Sequence, residues 1–487
     1  MKLKDLIMIL GNPEVNGEVE VSGIAYDSRR VAPGTLFVAI RGLVKDGHEF
    51  IPDAISRGAS AIVVEESVEQ LPVTNFQLPV LHVPDSRKAL AQLSSHFYGE
   101  PSKKMKMVGI TGTNGKTTTS YLLASILKKS GMKTGLIGTI DYWTGEGKRK
   151  AEKTTPESLD LQEILSEMRS SNLKAVVMEV SSHALAMKRT FGIEFETCLF
   201  TNLSRDHLDF HQTMEQYAQA KMILFEGLSK GKRAILNFDD TFSEEIRKKT
   251  KAEVTTFGFK KGADFQGVHP SLHLEGTEMK VLWKRGEADL RSPLIGRPNL
   301  YNLLSAFTFG ILEGFPVETV LEGIEGVREV PGRLEAIDVG QSFKVFVDYA
   351  HTPDALEKVL LALKELTGGR IIVLFGCGGD RDRGKRPMMA RVGTTLAHFT
   401  ILTSDNPRSE DPRAILKEME EGVVGRSFVM ILDRREAIQR GIEMVEEGDV
   451  LLIAGKGHEG YQIIGEERFP FDDREVAREN LKKKKWQ

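Results

Sequence analysis

The stretch VGITGTNGKTTTS, residues 108–120, joins an apolar strand pattern to a glycine turn and the start of a helix. The apolar run KMVGIT leads into the turn, and the following SYLLASILKKSG has the apolar spacing of a helix. In this context backbone N–H groups and the helix N-terminus bind phosphate oxygens. We therefore predict a nucleotide-binding loop formed by Gly112, Thr113, Asn114, Gly115, Lys116, Thr117 and Thr118.

The glycine spacing of this loop is irregular. The pattern G-x-x-x-x-G-K-[ST] requires glycine where Ile110 stands, and the glycines present are Gly109 and Gly112. Lys116 is expected to reach the terminal phosphates, and the Thr117 hydroxyl to bind magnesium. The alternative is a plain helix N-terminus built on Gly and Thr, which does not require a Gly-Lys-Thr triplet at the end of a strand.

Composition excludes several classes of protein. The chain has 487 residues, 40% hydrophobic and 28% charged, with a formal net charge of -3, so neither disorder nor nucleic-acid binding is expected. No apolar stretch approaches the ~20 residues of a membrane span, so we expect a cytoplasmic protein without membrane insertion. Two distant cysteines, Cys198 and Cys377, suggest no disulfide framework. The basic run at 482–485 should close a terminal helix, and without a coiled-coil repeat a monomer is expected.

Strand and helix patterns alternate along most of the chain, which predicts an α/β protein. Polar or glycine-containing breaks at YGEPSKKMK and EVPGRLE divide it into three domains, 1–103, 104–330 and 331–487. The first is a small α/β domain. The second has a parallel sheet with helices on both faces, followed by a β-rich segment and a helix. The third is Rossmann-like, although G-x-G-x-x-G does not follow its first strand.

A carboxylate interrupts the buried strand pattern AVVMEVSSH. Burying the Glu179 carboxylate there would be strongly destabilising without a cation to pair with it. The next strand ends in TNLSRDHLDFH, which supplies Asp206, His207 and Asp209. Ligands in such sheets lie beyond the carboxyl ends of strands, so a magnesium site near the loop is predicted, with His207 in an ordinary loop as the alternative.

Lys221 falls on the apolar stripe of the helix predicted to begin at Met214, which Thr213 and Gln216 should cap. A lysine on such a stripe has three options. It extends its ammonium to solvent, pairs with a carboxylate, or loses its charge through chemistry such as carbamylation. The residues alone leave these options open.

The third domain carries a cluster of predicted anion contacts. Asp348 and His351 end its first strand, and Arg333 lies in the linker before it, where it could face a terminal phosphate or form a surface salt bridge. Arginines also follow strand ends in GCGGDRDRGKRP and TSDNPRSED, where Asn406 and Pro407 form a turn that orients Arg408. Together they predict an anionic ligand.

These motifs resemble the Mur ligases of peptidoglycan synthesis, whose phosphate loop has the form G-x-x-G-T-N-G-K-T, as at residues 109–117. The resemblance extends over nearly the whole chain. It includes YDSRRVAPGTLFVAIRG, TTPES, EVSSHAL, YAQAK, NLYNLLSA, PGRLE, DYAHTPD, SDNPR and GKGHE. It accounts for the irregular glycine spacing.

The resemblance implies roles for individual residues. Lys116, Lys221, His207 and Arg333 would be catalytic, Lys221 as a carbamylated lysine. Thr117, Glu179 and His207 would bind magnesium. Asn302, Asp348 and Arg333 would contact the adenine, ribose and terminal phosphate of ATP. The implied contacts to the uridine nucleotide and muramoyl dipeptide are Ser28, Thr154, Thr155, Ser181 and Arg189, whereas Leu43 and Val44 replace polar uridine contacts of some members.

The implied activity is an ATP-dependent ligase reaction through an acyl phosphate. The most similar branch of the family adds the third peptide residue to UDP-N-acetylmuramoyl-L-alanyl-D-glutamate. Arg408 could hold the second carboxylate of meso-diaminopimelate, which lysine lacks, so meso-diaminopimelate is the expected substrate and lysine the alternative. The implied contacts to it are Arg381, Asp405, Asn406, Arg408, Gly455 and Glu459.

Two other functions use a similar loop. A folylpolyglutamate synthetase also joins an amino acid through an acyl phosphate, but it would not need the first domain or SDNPR. A nucleotide-dependent switch protein would not need the many matching residues of the third domain.

Overall fold

The computed structural model describes residues 1–11, 18–42, 45–67, 71–72 and 77–483. Leu43, Val44 and the basic residues 484–485 lie outside this range. Within the described residues the strands form three main sheets, which lie at 23–82, 106–292 and 335–454. Each sheet falls inside one expected domain, while the boundaries after residues 103 and 330 stay predictions.

The first unit is a small parallel sheet with helices against it, ordered β1-β2-β3-β4. Its apolar core is built from alternate residues of these short strands and from the helix that precedes the central unit. The elements are α1 Leu3–Ile7, β1 Gly23–Ala25, β2 Thr35–Val38, α2 Ile51–Ser56, β3 Ala59–Val64, β4 Val80–His82 and α3 Ser86–Phe97.

The central unit is a long mixed sheet, ordered β15-β14-β13-β12-β11-β10-β5-β9-β6-β7-β8. Its first elements are β5 Lys106–Thr111, α4 Lys116–Lys129, β6 Thr134–Ile137, β7 Asp141–Thr144, β8 Gly147–Lys150, α5 Ser158–Ser170, β9 Ala175–Glu179, α6 Ser182–Ala186, β10 Thr197–Phe200 and α7 Leu208–His211. The rest are α8 Met214–Glu226, β11 Arg233–Asn237, α9 Phe242–Lys249, β12 Glu253–Gly258, β13 Phe265–His273, β14 Gly276–Trp283, β15 Gly286–Ser292, α10 Arg297–Leu312 and α11 Val317–Glu325.

The middle of this sheet is parallel and is covered by helices on both faces, as predicted. Val108 and Ile110 of β5 pack in the layer that contains Leu122 of α4. Met107 points the other way, into the layer that contains Leu165 of α5. Antiparallel strands extend both edges of the sheet, β7 and β8 at one and β13 to β15 at the other. The edge strand β8, GKRK, was not predicted because it is exposed and lacks an apolar pattern.

The third unit has a six-stranded sheet in the described part of the chain, ordered β16-β17-β21-β18-β19-β20, and a separate hairpin, β22-β23. The elements are β16 Glu335–Ala336, β17 Lys344–Asp348, α12 Pro353–Leu366, β18 Ile371–Phe375, α13 Lys385–Leu396, β19 Phe399–Leu402, α14 Pro412–Glu420, β20 Phe428–Met430, α15 Arg434–Met444, β21 Val450–Ala454, β22 Tyr461–Ile464, β23 Glu467–Pro470 and α16 Asp473–Lys483. The short antiparallel β16 precedes the strand predicted to be first. Lys482 and Lys483 close α16, as expected.

Two simple expectations can be compared with the fold. Cys198 and Cys377 are buried and carry free thiols. Over the residues described, the structure contains no helix that is both long and apolar enough to cross a membrane.

The third unit faces the phosphate loop of the central unit. Asn114 Nδ2 in the loop donates to Asp354 Oδ2 on α12 at 3.0 Å. Arg333 Nη2, in the linker, donates to Thr117 Oγ1 at 3.2 Å. The carboxyl ends of the strands of both sheets therefore border a shared cleft.

Candidate active site

The phosphate loop has positive φ angles at two glycines. Gly112 has a φ of 147° and Gly115 a φ of 87°. A Cβ at Gly112 would overlap Thr201 Oγ1, and one at Gly115 would overlap Asn302 Oδ1. These are the positions where the loop requires glycine. Ile110 is instead a buried residue of β5, so glycine is not needed where the common pattern would place it.

The start of α4 is open to an anion. The helix begins at Lys116, and its N-cap, Gly115, provides no side-chain hydrogen bond. Its first N–H groups can therefore bind phosphate oxygens. Lys116 Nζ donates to the carbonyl oxygens of Gly112 and Thr113, each at 2.9 Å, and burial lowers its pKa.

Glu179 is fully buried at the end of β9, beside the loop. Its Oε2 accepts hydrogen bonds from the hydroxyls of Thr117 and Thr139, both at 3.0 Å, and its Oε1 accepts one from Thr139 N at 2.9 Å. The sequence suggested that this carboxylate needs a cation. In the described part of the chain its partners are these hydroxyl and amide groups, which compensate burial and leave oxygen ligands beside the phosphate loop.

His207 lies at the start of α7 with a left-handed φ of 54°. Its backbone N–H donates to Asp206 Oδ1 at 2.8 Å, and its Nε2 lies 3.5 Å from Asp206 Oδ2. Burial lowers the pKa of His207 to about 4, against the opposing effect of Asp206. The imidazole is therefore neutral near pH 7 and keeps a lone pair for a metal ion.

A cavity of about 610 Å³ brings together the predicted metal ligands Thr117, Glu179 and His207 with Lys221. A hydroxyl, a carboxylate and a neutral imidazole are a donor set that suits a divalent cation. Asp209, predicted alongside them, lines the adjoining cavity instead.

Lys221 is buried in the wall of the phosphate-loop cavity. Helix α8 begins at Met214 as predicted, and Thr213 Oγ1 caps it by accepting from Gln216 N at 3.2 Å. Lys221 is 1% exposed, which excludes extension to solvent. Its Nζ donates to Gly112 O at 2.9 Å, and no carboxylate of the described residues lies within salt-bridge distance of it. Burial, and secondly the charge of Lys116, lowers its pKa well below the usual value. The lysine is thus a buried amine rather than an ion pair.

Arg333 connects the third unit to the phosphate loop. Besides its bond to Thr117, its guanidinium stacks 4.7 Å from the centre of the Tyr349 ring. Its Nε is buried and has no hydrogen-bond partner among the residues described. This arginine is therefore no surface salt bridge, and it borders the same cavity as the phosphate loop.

The other predicted ATP contacts also line this cavity, except Gly112. The Asp348 carboxylate accepts from Leu334 N and Ala350 N, both at 2.7 Å, and burial raises its pKa despite the charge of Arg333. Asn302 Nδ2 donates to Asn299 Oδ1 at 2.9 Å. Thr118 is buried in the first turn of α4. Their roles toward ATP stay predictions.

The predicted dipeptide contacts border the same cavity, namely Thr154, Thr155, Ser181 and Arg189. The Thr155 hydroxyl donates to Glu179 O at 2.8 Å and accepts from Ser181 N at 3.1 Å. Arg189 Nη1 donates to Thr155 O at 3.2 Å. Ser28, the predicted uridine contact, begins a short 3-10 helix, Ser28–Arg30, in the first unit, away from this cavity.

A second cavity of about 1040 Å³ lies against the third unit. It is lined by all six predicted diaminopimelate contacts, Arg381, Asp405, Asn406, Arg408, Gly455 and Glu459. Arg408 has a left-handed φ of 52°, and its Nη1 donates to Gly379 O at 2.7 Å. Burial, and secondly Arg381, lowers the pKa of Arg408. The turn therefore holds a partly buried guanidinium against the cavity.

Lys456 is a residue of this region that sequence reasoning missed. It follows β21 in GKGHE and is 0% exposed. Its Nζ donates to Asn406 Oδ1 at 3.0 Å and to Glu459 Oε2 at 3.1 Å. The available signal was a lysine directly after the apolar run DVLLIAG, at a strand end where ligands bind.

The two cavities are continuous, since Asp206, His207, Tyr349, Arg381 and Glu459 line both. A phosphate-binding loop thus occupies one end of a cleft, and a charged pocket lined mainly by the third unit occupies the other. This arrangement fits an enzyme that uses a nucleotide together with a second substrate better than it fits a nucleotide-dependent switch protein.

Comparisons with known proteins also indicate a nucleotide-dependent enzyme. Three family models match the chain: Mur ligase family, catalytic domain, at 20–98; Mur ligase middle domain at 110–310; and Mur ligase, glutamate ligase domain, at 332–457. The chain belongs to the Mur ligase family and is an ATP-dependent ligase.

Individual relatives match nearly the full length of the chain. The chain is 45% identical over 493 residues to UDP-N-acetylmuramoyl-L-alanyl-D-glutamate--2,6-diaminopimelate ligase of Listeria innocua, covering 99% of each chain. It is 43% identical over 465 residues to the enzyme of the same name from Clostridium botulinum, covering 95% of each. A solved structure of a ligase of that name is 32% identical, with a TM-score of 0.70 and 99% of each chain covered.

Proposed function

We propose that this ligase joins meso-2,6-diaminopimelate to UDP-N-acetylmuramoyl-L-alanyl-D-glutamate, with ATP and magnesium, in peptidoglycan precursor synthesis. The observation that carries the proposal is the continuous cleft, with the phosphate loop at one end and Asn406 and Arg408 at the other. The names of the relatives support the same pair of substrates. A reaction between ATP and a UDP-linked precursor belongs in the cytoplasm, and the proposal assigns it to a monomer.

The proposed chemistry has two steps. A carboxylate oxygen of the dipeptide attacks the γ-phosphorus of ATP, forming an acyl phosphate and releasing ADP. The amine of the amino acid then attacks the acyl carbon. A C–N bond forms, the C–O bond to phosphate breaks, and the amine loses a proton. Lys116 and Arg333 both border the cavity and would stabilise the charge of the transferred phosphoryl group.

Magnesium would be held by Thr117, Glu179 and His207, whose oxygen and neutral imidazole donors border one cavity. Bound there, the ion would neutralise charge on the phosphate oxygens. The protein's own contribution is orientation: Thr117 and Thr139 hold the Glu179 carboxylate, and Asp206 orients His207.

Carbamylation of Lys221 is part of the proposal. The amine of Lys221 attacks CO₂, a N–C bond forms, and loss of a proton leaves a carbamate anion. Its support is a buried amine in the wall of the phosphate-loop cavity, whose low pKa favours the uncharged, nucleophilic form. Lys221→Ala should abolish activity, and a short-chain carboxylate should restore part of it. A fully active variant would contradict an anionic role.

Selectivity for meso-diaminopimelate rests on Arg408. The guanidinium can pair with the distal carboxylate, which lysine lacks, so lysine would leave this partly buried cation without a carboxylate partner. Lysine is the second candidate for the amino acid that is added. A folyl substrate in place of the UDP-muramoyl dipeptide is the third candidate.

Release of phosphate from ATP distinguishes these candidates. It should require UDP-muramoyl dipeptide together with meso-diaminopimelate. Turnover that ignores the dipeptide would overturn the proposed function, whereas equal turnover with lysine would overturn only the selectivity. Turnover with a folate acceptor and glutamate would favour the folyl ligase.

A further inference from the structure

Lys456 is a buried lysine with no assigned part in the proposed reaction. It lies at the carboxyl end of β21 and is 0% exposed, where an unpaired ammonium would be strongly destabilised. Its Nζ has two side-chain acceptors, Asn406 Oδ1 at 3.0 Å and Glu459 Oε2 at 3.1 Å. It is also 5.7 Å from the centre of the Tyr461 ring. These contacts place a fixed positive charge directly behind the amino-acid pocket.

The first consequence concerns the amide of Asn406. Its Oδ1 accepts from Lys456 Nζ and from Ile463 N, both at 3.0 Å. Its Nδ2 donates to Glu459 Oε2 at 2.9 Å. A flipped amide would point its NH₂ group at two donors and its oxygen at a carboxylate. Because Lys456 is a donor without an acceptor, it permits only one orientation of Asn406.

The second consequence concerns Glu459. Asn406 Nδ2 and Lys456 Nζ both bind the same oxygen, Oε2. The carboxylate is thereby held by one oxygen, and Glu459 borders the cleft shared by both cavities. The arrangement leaves Oε1 to receive an ammonium group.

The third consequence concerns charge. Asp405 and Glu459 contribute two negative charges to the pocket, and Lys456 offsets one of them. The pKa of Asp405 is lowered, because Lys456 and Arg434 outweigh the effect of burial. Arg408 and Arg381, which also line the pocket, add positive charge to it. The distal amino-acid head of meso-diaminopimelate is zwitterionic and suits this balance, whereas the bare ammonium of lysine does not.

We infer that Lys456 is a positioning residue that determines which amino acid substrate is preferred. It fixes Asn406 and Glu459, and it supplies the positive charge that favours a zwitterionic distal head over a bare ammonium. This inference rests on the proposed function, since it concerns the amino-acid pocket of that reaction. Lys456 itself need not contact the substrate.

The test compares Lys456→Met with the wild type, using phosphate release with meso-diaminopimelate and with lysine. The KM for meso-diaminopimelate should rise on the order of 10-fold or more, because a charged hydrogen-bond network is lost. The KM for ATP should stay within about twofold, because the phosphate loop is in another unit. The preference for meso-diaminopimelate over lysine should fall by a similar factor.

A double-mutant cycle with Glu459→Gln separates positioning from folding. If Lys456 acts through Glu459, Lys456→Met should change the KM for meso-diaminopimelate much less in the Glu459→Gln background than in the wild type. The double variant also leaves no unpaired charge at this pair, so it can be measured even if the single variant does not fold. The double variant should show the reduced preference for meso-diaminopimelate over lysine.

The outcomes are distinct. A wild-type protein without activity on meso-diaminopimelate would overturn the proposed function. An active wild type, with Lys456→Met unchanged in the KM for meso-diaminopimelate and in its preference, would overturn the inference. A lower melting temperature with equal losses for both amino acids would also overturn it, by showing a structural role only. Additive effects in the cycle would overturn the action through Glu459.

Discussion

The two ends of the cleft are built in different ways. At the phosphate end, the loop, the helix N-terminus and Lys116 come from one continuous stretch that follows β5. At the amino-acid end, the side chains come from separate loops after β18, β19 and β21, and Lys456 meets Asn406 across 50 residues. The first end is a local motif, whereas the second exists only when three loops meet. Variants at the phosphate end should therefore lower activity with every amino acid substrate. Variants at the amino-acid end should change which amino acid is preferred.

The largest effect is expected for Lys116→Ala. Loss of a cation from the phosphoryl-transfer site should lower kcat by about 10³-fold with either amino acid. Phosphate release measures this loss. Lys129→Ala is the matched control, since Lys129 closes the same helix, is 51% exposed and forms an exposed ion pair with Glu322. The kcat of this variant should stay within about twofold of the wild type. A Lys116→Ala variant that loses activity with only one amino acid would break the comparison.

Gly112→Ala should come next. A Cβ at this position would overlap Thr201 Oγ1, so the loop must move, and a displacement of about 1 Å at a reacting group can cost about 100-fold in rate. Gly131→Ala provides the control, because Gly131 also has a positive φ, +88°, but a Cβ there meets nothing within 4 Å. Titration with ATP and thermal unfolding together separate the two variants: both should lose stability, but only Gly112→Ala should lose ATP binding.

Arg408→Ala should affect the amino-acid end alone. Loss of a charged pair with the distal carboxylate should lower kcat/KM for meso-diaminopimelate by about 30-fold or more, while the KM for ATP is retained. Arg413→Ala, on the exposed side of α14, is the control and should behave like the wild type. A parallel rise in the KM for ATP would show that the two ends are not independent.

The smallest effect on kcat is expected for the contact between α12 of the third unit and the central unit. Asp354 Oδ2 accepts from Asn114 Nδ2 at 3.0 Å and from Ser204 Oγ at 2.9 Å, which join α12 to the central unit. The carboxyl is partly exposed, so Asp354→Ala should lower kcat only a few-fold, equally for both amino acids. Steady-state kinetics with each acceptor tests this. Lys364→Ala, farther along α12, should have no effect.

Sequence reasoning succeeded where the chemistry is local. The phosphate loop, the α/β class and the helix from Met214 follow from short patterns, since strand burial, glycine turns and caps depend on neighbouring residues. It was less informative for Lys221, because an apolar stripe does not specify what lies opposite it. The contact with Gly112 O spans 109 residues.

By itself, the sequence determined a nucleotide loop on a strand and helix, a three-part α/β chain and a resemblance to Mur ligases. Only the tertiary structure decided that Lys221 is enclosed, that Arg333 reaches Thr117 across 216 residues, and that Lys456 holds Asn406 and Glu459. The physical reason is that local backbone structure depends on a few neighbouring residues. The burial and hydrogen bonding of a charged side chain depend instead on partners that folding brings from elsewhere in the chain.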